Sequence, residues 1–193
     1  MNKKKICEIL LIIIGILLII VSILIVNKYR KNVKNYKEAI VWIENFYMEE
    51  PNQVDDVKTL KYKGYDVIGV IKIPKIELQY PIISENSKEA MDVSITKFFG
   101  NGVNEVGNLT LAGHNNYDNT MFGKLNELKI DDIIQLTDIN KNTKEYKIYK
   151  IFKTTPNDSS VVSTEEFGTR EVTLITCSNG NKERLIVKAR EIQ

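Results

Sequence analysis

The feature that most constrains this chain is an uncharged apolar run near its start. Residues 9–26 read ILLIIIGILLIIVSILIV, and only Gly15 and Ser22 interrupt the large apolar side chains. A helix rises 1.5 Å per residue, so this run is about 27 Å long, close to the hydrocarbon thickness of a bilayer. Gly and Ser are both tolerated within transmembrane helices. We therefore expect residues 9–26 to form a transmembrane anchor, preceded by a short tail over residues 1–8.

A cleaved signal peptide is the alternative interpretation of this run. The apolar core of a signal peptide spans about 7–15 residues and ends at a small-x-small cleavage site. Here the run is longer and leads into Asn27-Lys28-Tyr29-Arg30-Lys31, which contains no such site. Lysines 3–5 flank one end of the run and basic residues 28–34 flank the other. The positive-inside rule therefore gives no orientation.

Charge is distributed unevenly along the 193 residues. Residues 1–34 carry seven basic and one acidic side chain, and the rest of the chain carries 20 basic and 24 acidic ones. Phosphate binding requires a positive face, so the acidic remainder argues against a nucleic-acid-binding protein. The chain has only two cysteines, Cys7 and Cys177, and one histidine, His114. These counts exclude a disulfide scaffold and a zinc site with several Cys or His ligands.

A second helical pattern follows the anchor. Apolar residues recur at helical spacing over about three turns, at Tyr36, Ala39, Ile40, Ile43, Phe46 and Tyr47. We expect an amphipathic helix that either packs on the following domain or stands as a stalk. Pro51 ends it, and the polar segment 49–63 is typical of a linker. Residues 27–63 are therefore predicted to be a juxtamembrane helix and linker.

The rest of the chain, residues 64–193, has the pattern of a β-domain. Short β-branched runs bounded by turn residues predict strands at 67–73, 76–80, 108–112, 132–137, 145–153, 172–176 and 184–189. Brief helical turns are predicted near 87–93 and 121–128. Seven or eight short strands without long crossover helices favour a mostly antiparallel barrel or sandwich.

Cys177 is the first candidate for chemistry. It follows the β-branched strand 172–176 and precedes the turn residues Ser178-Asn179-Gly180-Asn181. An ordinary thiol has a pKa of about 8.5 and needs a nearby positive group or base to react at neutral pH. If the strands on either side of the Asn-Gly turn pair, Arg184 lies within one or two positions of Cys177. Its guanidinium would then be able to stabilise an oxyanion formed at the thiol.

His114 is the second candidate, because it also follows a strand, Leu109-Thr110-Leu111-Ala112-Gly113. In a barrel, strand ends gather at one rim, which would bring His114, Cys177 and Arg184 together. The alternative is a structural interpretation of all three residues. A lone Cys is usually a small core hydrophobe, a lone His a surface or capping residue, and Arg184 an ordinary edge charge. Composition alone favours this alternative, and the Cys177–Arg184 spacing supports the catalytic one.

These segments resemble the sortase family. The stretches 108–114 (NLTLAGH), 173–177 (TLITC) and 184–187 (RLIV) are similar to its histidine, cysteine and arginine strands, in the same order. Supporting similarities lie at 71–76, 80–82, 122–125 and 128–132. The resemblance covers roughly residues 65–190.

The resemblance implies a closed eight-stranded β-barrel with short helices, anchored in the cell membrane of a Gram-positive bacterium by one N-terminal transmembrane helix. The tail 1–8 would be cytoplasmic and the catalytic domain extracellular. Sortases cleave an LPxTG-like sorting signal between Thr and Gly through a thioacyl intermediate. By this resemblance Cys177 is the nucleophile, His114 the general acid and base, and Arg184 the residue that stabilises the oxyanion. The acceptor is an amine of the cell-wall precursor or, in pilus-building members, a pilin lysine.

Substrate contacts and subclass are less constrained. The candidate substrate-binding residues are Thr176, Ala112 and, on the connection 154–170, Val161 and Val162, although the two valines fit a simple surface loop as well. No cofactor or metal is expected, because the acidic pairs 131–132 and 165–166 are typical of solvated loops. The histidine segment is most similar to class D, with class A or B next. Ser84–Val106 lacks the Gly- and Pro-rich segment typical of class D.

Two rival functions belong to other classes. A papain-like protease has its Cys before its His and at the head of a helix, whereas here His114 comes first and Cys177 ends a strand. A non-catalytic, membrane-tethered β-domain that binds wall or protein partners would not depend on Cys177 at all. Transfer of an acyl group to an added amine distinguishes a sortase from both.

Overall fold

The N-terminal part of the chain is one long helix, α1, from Lys3 to Met48. The computed structural model describes residues 3–49, 60–163 and 167–192, and the chain divides into two compact units, 1–35 and 36–193. In the first unit the Ile and Leu side chains of residues 9–26 are exposed. The length and composition of this helix are those of a membrane span. The apolar run is therefore a candidate single-pass transmembrane helix.

Within the second unit, the last turns of α1 pack on the β-domain. Ala39, Ile43 and Phe46 are buried, at the i, i+4, i+7 spacing of one helix face. Trp42 stacks on Phe46 with ring centroids 5.6 Å apart, and its indole Nε1 donates to the Lys61 carbonyl over 2.9 Å. Of the two alternatives for the amphipathic helix, packing on the domain is therefore confirmed. Its predicted end at Pro51 lies outside the described residues.

Short strands make up most of the second unit. Within the described residues the strands are β1 Lys61–Tyr62, β2 Tyr65–Ile73, β3 Leu78–Ile83, β4 Ile95–Gly100, β5 Gly107–Ala112, β6 Ile133–Asp138, β7 Thr143–Thr154, β8 Arg170–Ser178 and β9 Glu183–Glu191. A short helix, α2, spans Lys88–Met91. Single 3₁₀ turns cover Pro74–Ile76, Leu125–Glu127 and Ser159–Val162.

Eight of these strands close into a barrel. They pair in the order β2-β3-β4-β5-β8-β9-β7-β6, and β6 pairs again with β2. All pairs are antiparallel except β3–β4 and β5–β8. β1 only extends the β2 edge by two residues. The expected fold class, a mostly β, closed eight-stranded barrel preceded by an apolar helix, is confirmed.

Three strands differ from the sequence prediction. β1, Lys61–Tyr62, lies within the segment predicted as a linker, because two residues are too few to show a strand period. β4 was not predicted, because its sequence ITKFFG exposes both Phe98 and Phe99 around an irregularity in the pairing with β5, and this removes the period-2 signal of a strand. The predicted strand 76–80 begins later, at Leu78, and ends at Ile83. The 3₁₀ turn that starts at Pro74 occupies its first residues, and β3 continues through Pro81, a residue that usually ends a strand prediction.

Alternation along β8 and β9 assigns each side chain to one face of the barrel wall. Val172 and Leu174 belong to the interior core, as do Ala189 and Val187 opposite them. Leu185, opposite Thr176, belongs to it as well. Because successive strand residues point to opposite faces, the intervening pairs face outward. These outward pairs are Thr173 with Lys188, Ile175 with Ile186, and Cys177 with Arg184.

The end of β4 provides a test of the barrel packing. Gly100 has φ +89°, and a Cβ there would lie 1.9 Å from the Asn108 carbonyl oxygen; Gly64 has the same φ, with no heavy atom within 4 Å of such a Cβ. We expect Gly64→Ala to lower the free energy of unfolding by about 1–2 kcal/mol, from backbone strain alone. Gly100→Ala should cost more than about 3 kcal/mol, because its clash is with backbone.

The comparison uses urea unfolding of the full chain in detergent micelles, followed by the fluorescence of its single tryptophan, Trp42. Equal losses for the two variants would contradict the close β4–β5 approach.

Candidate active site

Cys177 lies near the end of β8, directly opposite Arg184 of β9. Residues directly opposite each other on antiparallel strands have Cα atoms about 4.5–5.5 Å apart and side chains on the same face. Both side chains are partly exposed, as expected for the outer face of a barrel rim. The predicted pairing across the Asn-Gly turn is therefore confirmed, and the offset between the two residues is zero.

A tight turn holds Arg184 in this position. The Lys182 amide donates to the Asn179 carbonyl over 3.2 Å, and the intervening Gly180 and Asn181 have φ values of 59° and 71°. Positive φ at both central residues is the requirement of a tight hairpin turn, and Gly and Asn meet it at little cost. The Arg184 guanidinium Nη1 donates to the carbonyls of Asn181 and Glu183, each over 3.1 Å. The turn therefore restrains a positive charge beside the Cys177 strand.

His114 follows β5, which runs parallel to β8. Ala112 pairs with Ile175, and the Gly113 amide continues this ladder to the Ile175 carbonyl over 3.3 Å. The Thr176 hydroxyl donates to the Gly113 carbonyl over 2.7 Å. By alternation from the outward-facing Ala112, His114 belongs to the same outer face as Cys177. The register thus brings the histidine segment beside the cysteine strand.

Two contacts hold the residues after this strand. The Asn115 side-chain Nδ2 donates to the Cys177 carbonyl over 2.8 Å, and the Phe122 amide donates to the His114 carbonyl over 2.9 Å. A Cβ on Gly113 would lie 2.6 Å from Ile95 Cδ1 and 2.9 Å from Phe122 Cδ2, and both of those side chains are fully buried. The position before His114 therefore has no room for a side chain.

Asp92, which the sequence did not single out, contacts the histidine. Its Oδ1 lies 3.1 Å from His114 Nε2, and its Oδ2 lies 3.4 Å from Lys88 Nζ. Partial burial raises the pKa of the Asp92 carboxyl, but the hydrogen bond with His114 and the charge of Lys88 outweigh burial, so the net pKa is lowered. No signal in the sequence connects Asp92 to His114, because 22 residues separate them and Asp92 follows a helix of one turn.

The connection from β7 to β8 covers part of the outer face. The buried Asn108 side chain donates from Nδ2 to the Val162 carbonyl over 3.0 Å, and the buried Lys188 ammonium donates to the Ser163 carbonyl over 3.1 Å. Neither residue was selected as a site residue from the sequence, although a buried lysine on an otherwise apolar strand is unusual. These contacts fix the segment that carries Val161 and Val162 over the strands that lead to Cys177 and Arg184.

The four candidate substrate-binding residues differ in exposure. Ala112, Thr176 and Val161 are buried, with exposed fractions of 8%, 2% and 6%, and the Thr176 hydroxyl is already bonded to Gly113. Val162 is half-buried. Contact of any of the four with a substrate stays a prediction.

The expectation of no metal rested on the acidic pairs. Among the residues that the structure describes, three or more His, Cys, Asp or Glu side chains do not gather as metal ligands. Asp131 lies 3.8 Å from the Lys147 ammonium, and Asp132 accepts from the Lys129 amide over 2.8 Å. The pair Glu165-Glu166 lies outside the described residues.

The bond between Thr176 and Gly113 generates a prediction about the rigidity of the site. Thr176→Val keeps the side-chain shape and leaves the buried Gly113 carbonyl without this donor, so we expect a loss of about 1–3 kcal/mol in unfolding free energy. Thr155→Val, at an exposed position, should change it by less than about 0.5 kcal/mol. Hydrogen exchange at the Gly113 amide should accelerate only in Thr176→Val; unchanged exchange there would contradict the proposed link between β5 and β8.

Comparison with known proteins agrees with this geometry. Sortase A of Bacillus anthracis is 30% identical over 154 residues, which are 78% of this chain and 71% of that protein. Sortase A of Listeria monocytogenes is 28% identical over 145 residues, 74% of this chain and 63% of that protein. Among solved structures, a Clostridium perfringens Sortase D5 transpeptidase is 30% identical with a TM-score of 0.66, over 81% of this chain and 97% of that one.

The family model described as Sortase domain matches residues 71–192. This match includes every strand from β3 to β9 and all three candidate catalytic residues, Cys177, His114 and Arg184. With more than half of its length matched, the chain belongs to the sortase family, whose members are cysteine transpeptidases.

Proposed function

We propose that this chain cleaves an LPxTG-like sorting signal between Thr and Gly and transfers the released surface protein to an amine. The observation that carries the proposal is the register of β8 and β9, which sets Cys177 opposite Arg184 on the outer face. The parallel β5–β8 ladder supports it, since it ends with His114 beside the same strand. A thiol, a general acid–base group and a fixed positive charge are the groups that acyl transfer through a thioester requires.

In the first half-reaction, the Cys177 sulfur attacks the carbonyl carbon of the substrate Thr. The C–S bond forms as the Thr–Gly C–N bond breaks, and the imidazolium of His114 gives its proton to the leaving Gly nitrogen. The products are a thioacyl enzyme, a free peptide amine and neutral imidazole.

In the second half-reaction, the acceptor amine attacks the same carbonyl carbon. Neutral His114 takes a proton from that amine, the new C–N bond forms, and the Cys177 sulfur leaves. The surface protein is then joined to the acceptor by an amide bond, and the thiolate and imidazolium of the enzyme are restored. Without an amine, water is the acceptor and the result is hydrolysis.

Arg184 is proposed to stabilise the oxyanion of both tetrahedral intermediates. Its guanidinium is always charged, and its bonds to the turn carbonyls of Asn181 and Glu183 restrain it. A positive group that is already in place costs little reorganisation when negative charge develops.

The proposed location is the cell membrane of a Gram-positive bacterium. In this proposal residues 1–8 are a cytoplasmic tail, 9–26 the transmembrane anchor, 27–63 the juxtamembrane helix and linker, and 64–193 the extracellular catalytic barrel. The acceptor is then the amine of a cell-wall precursor, which is available at the outer membrane surface. The apolar, exposed helix over 9–26 supports this assignment.

Class D is the proposed subclass. The sequence motifs favour it, and so does the 30% identity to the Clostridium perfringens Sortase D5 transpeptidase over 97% of that chain. A pilin-polymerising sortase would share the same chemistry and differ in its acceptor, a pilin lysine.

The two cysteines of the chain allow a matched test of the proposal. We expect the full chain in detergent micelles to cleave LPxTG-like peptides between Thr and Gly, and to transfer the acyl part to triglycine or a diaminopimelate-type amine. Cys177→Ala should abolish both products, because the nucleophile is gone. Cys7→Ala should retain them. Mass spectrometry of the products identifies the cleavage site and the acceptor together.

Product formation by Cys177→Ala, or hydrolysis without any transfer at high amine concentration, would contradict the assignment. Absence of products from every peptide would favour the alternative of a non-catalytic binding domain.

The protonation states required by this chemistry predict a bell-shaped pH dependence of kcat/KM. Below the optimum the thiol is protonated and a poor nucleophile; above it the imidazole has lost the proton that the leaving amine needs. Initial rates with one peptide, measured between about pH 6 and 9, should rise and then fall. A flat profile over that range would count against the Cys177–His114 assignment.

A further inference from the structure

The contact between Asp92 and His114 fixes one of the two imidazole nitrogens. Asp92 Oδ1 lies 3.1 Å from Nε2, which is hydrogen-bonding distance. The pair is partly open to solvent, with side-chain exposures of 43% for Asp92 and 39% for His114. Because the pKa of Asp92 is lowered, this carboxyl is ionised at neutral pH. An ionised carboxylate only accepts hydrogen bonds, so Nε2 must carry the proton in this contact.

The fold holds the Asp92 carboxylate in a defined position next to His114. Asp92 is the C-terminal cap residue of α2, and Ser87 is the N-terminal cap residue, whose hydroxyl accepts from the Ala90 amide over 3.1 Å. Ala90 is fully buried and attaches α2 to the core. Lys88, one turn earlier on the same helix, lies beside the other carboxylate oxygen at 3.4 Å. The carboxylate is thus presented to His114 by a capped, packed turn.

We propose that Asp92 is a positioning residue that holds His114 through Nε2 and leaves Nδ1 to exchange the proton with the substrate. The proposal deepens the transpeptidase function proposed above and rests on it. Neutral imidazole with a proton on Nε2 has its acceptor lone pair on Nδ1. Imidazolium donates from Nδ1 to the leaving Gly nitrogen while Nε2–H stays on Asp92, and neutral Nδ1 later takes the proton of the acceptor amine.

The Asp92 carboxylate contacts the imidazole directly. The other charged or titratable groups on this side of the barrel are Lys88, beside Asp92, and Cys177 and Arg184, on the outer face of β8 and β9. A carboxylate accepts from Nε2–H of the neutral ring and of the imidazolium alike, so the contact is retained through both half-reactions.

The single histidine of the chain permits a direct experiment. Full-length chain labelled with ¹⁵N only at histidine, in detergent micelles, gives ring signals from His114 alone. We expect a hydrogen-bonded Nε2–H proton and an unprotonated Nδ1 above the titration range of the ring. In Asp92→Ala the Nε2–H signal should broaden away through exchange with water.

Glu89→Ala is the matched control, because it removes an exposed acid from the same short helix, three residues before Asp92. It should leave the ring signals of the wild type unchanged.

Turnover provides the second measurement. Asp92→Ala should lower kcat about tenfold, with KM for the peptide changed by less than about twofold. Asp92→Asn keeps an acceptor oxygen without the charge and should fall between Asp92→Ala and the wild type. Thermal unfolding of all variants should match the wild type, since the Asp92 backbone bonds of the cap are retained.

The outcomes separate the two proposals. An unchanged Nε2–H signal in Asp92→Ala, or a neutral ring protonated on Nδ1 instead of Nε2 in the wild type, overturns the role of Asp92 whatever the turnover. Equal kcat for the wild type and Asp92→Ala also overturns it. If the wild type cleaves no peptide, the proposed function fails, and the ring signals still decide whether Asp92 holds His114 through Nε2.

Discussion

The parallel pairing of β5 with β8 is the interaction on which the site depends. It joins segments more than 60 residues apart, from Gly107 opposite Arg170 to Ala112 opposite Ile175. Beyond its last pair, side chains continue the connection: Thr176 bonds to the Gly113 carbonyl, and Asn115 bonds to the Cys177 carbonyl. Parallel strands need a long crossover, and here that crossover is the β6–β7 hairpin. The hairpin is itself part of the wall, so strands that lie between β5 and β8 in the sequence occupy the far side of β9 in the sheet.

Part of the outer face formed by β5, β8 and β9 is buried under the β7–β8 connection. Outward-facing Thr110, Thr173 and Lys188 are all at most 2% exposed, because the β7–β8 connection lies over them. Burying a polar group costs free energy unless it is hydrogen-bonded. Here Asn108 accepts from Thr173 and donates to the connection, and Lys188 donates to Ser163. The covered part of the outer face is therefore hydrogen-bonded, whereas Cys177 and Arg184, near its edge, are partly exposed.

The sequence predicted the parts of this structure that local patterns encode. Period-2 runs and the Asn-Gly turn were enough for β8, β9 and the register of Cys177 with Arg184. β4 was missed, because its two exposed phenylalanines conceal the alternation, and the start of β3 was misplaced by the turn at Pro74. These errors arise where a bulge or a 3₁₀ turn changes the local period.

Local sequence patterns did not predict the contacts between distant segments. Asp92 and His114 are in contact because α2, which belongs to the connection from β3 to β4, lies next to the end of β5. No spacing in the local sequence predicts this contact. The same is true of Asn108 and Lys188. Their polar side chains lie on largely apolar strands, and their hydrogen-bond acceptors are carbonyls of the distant β7–β8 connection. The family resemblance supplied the order His, Cys, Arg, but not the residues that hold them.

The role of Cys177 as the nucleophile can be tested by trapping the covalent intermediate during turnover. Full-length chain in micelles would be quenched in acid after brief incubation with an LPxTG-like peptide, then digested and analysed by mass spectrometry. We expect an acyl adduct that ends in Thr on the fragment containing Cys177, and its release by hydroxylamine, as is typical of a thioester. Peptide cleavage without any adduct on Cys177, or an adduct on Cys7 instead, would contradict it.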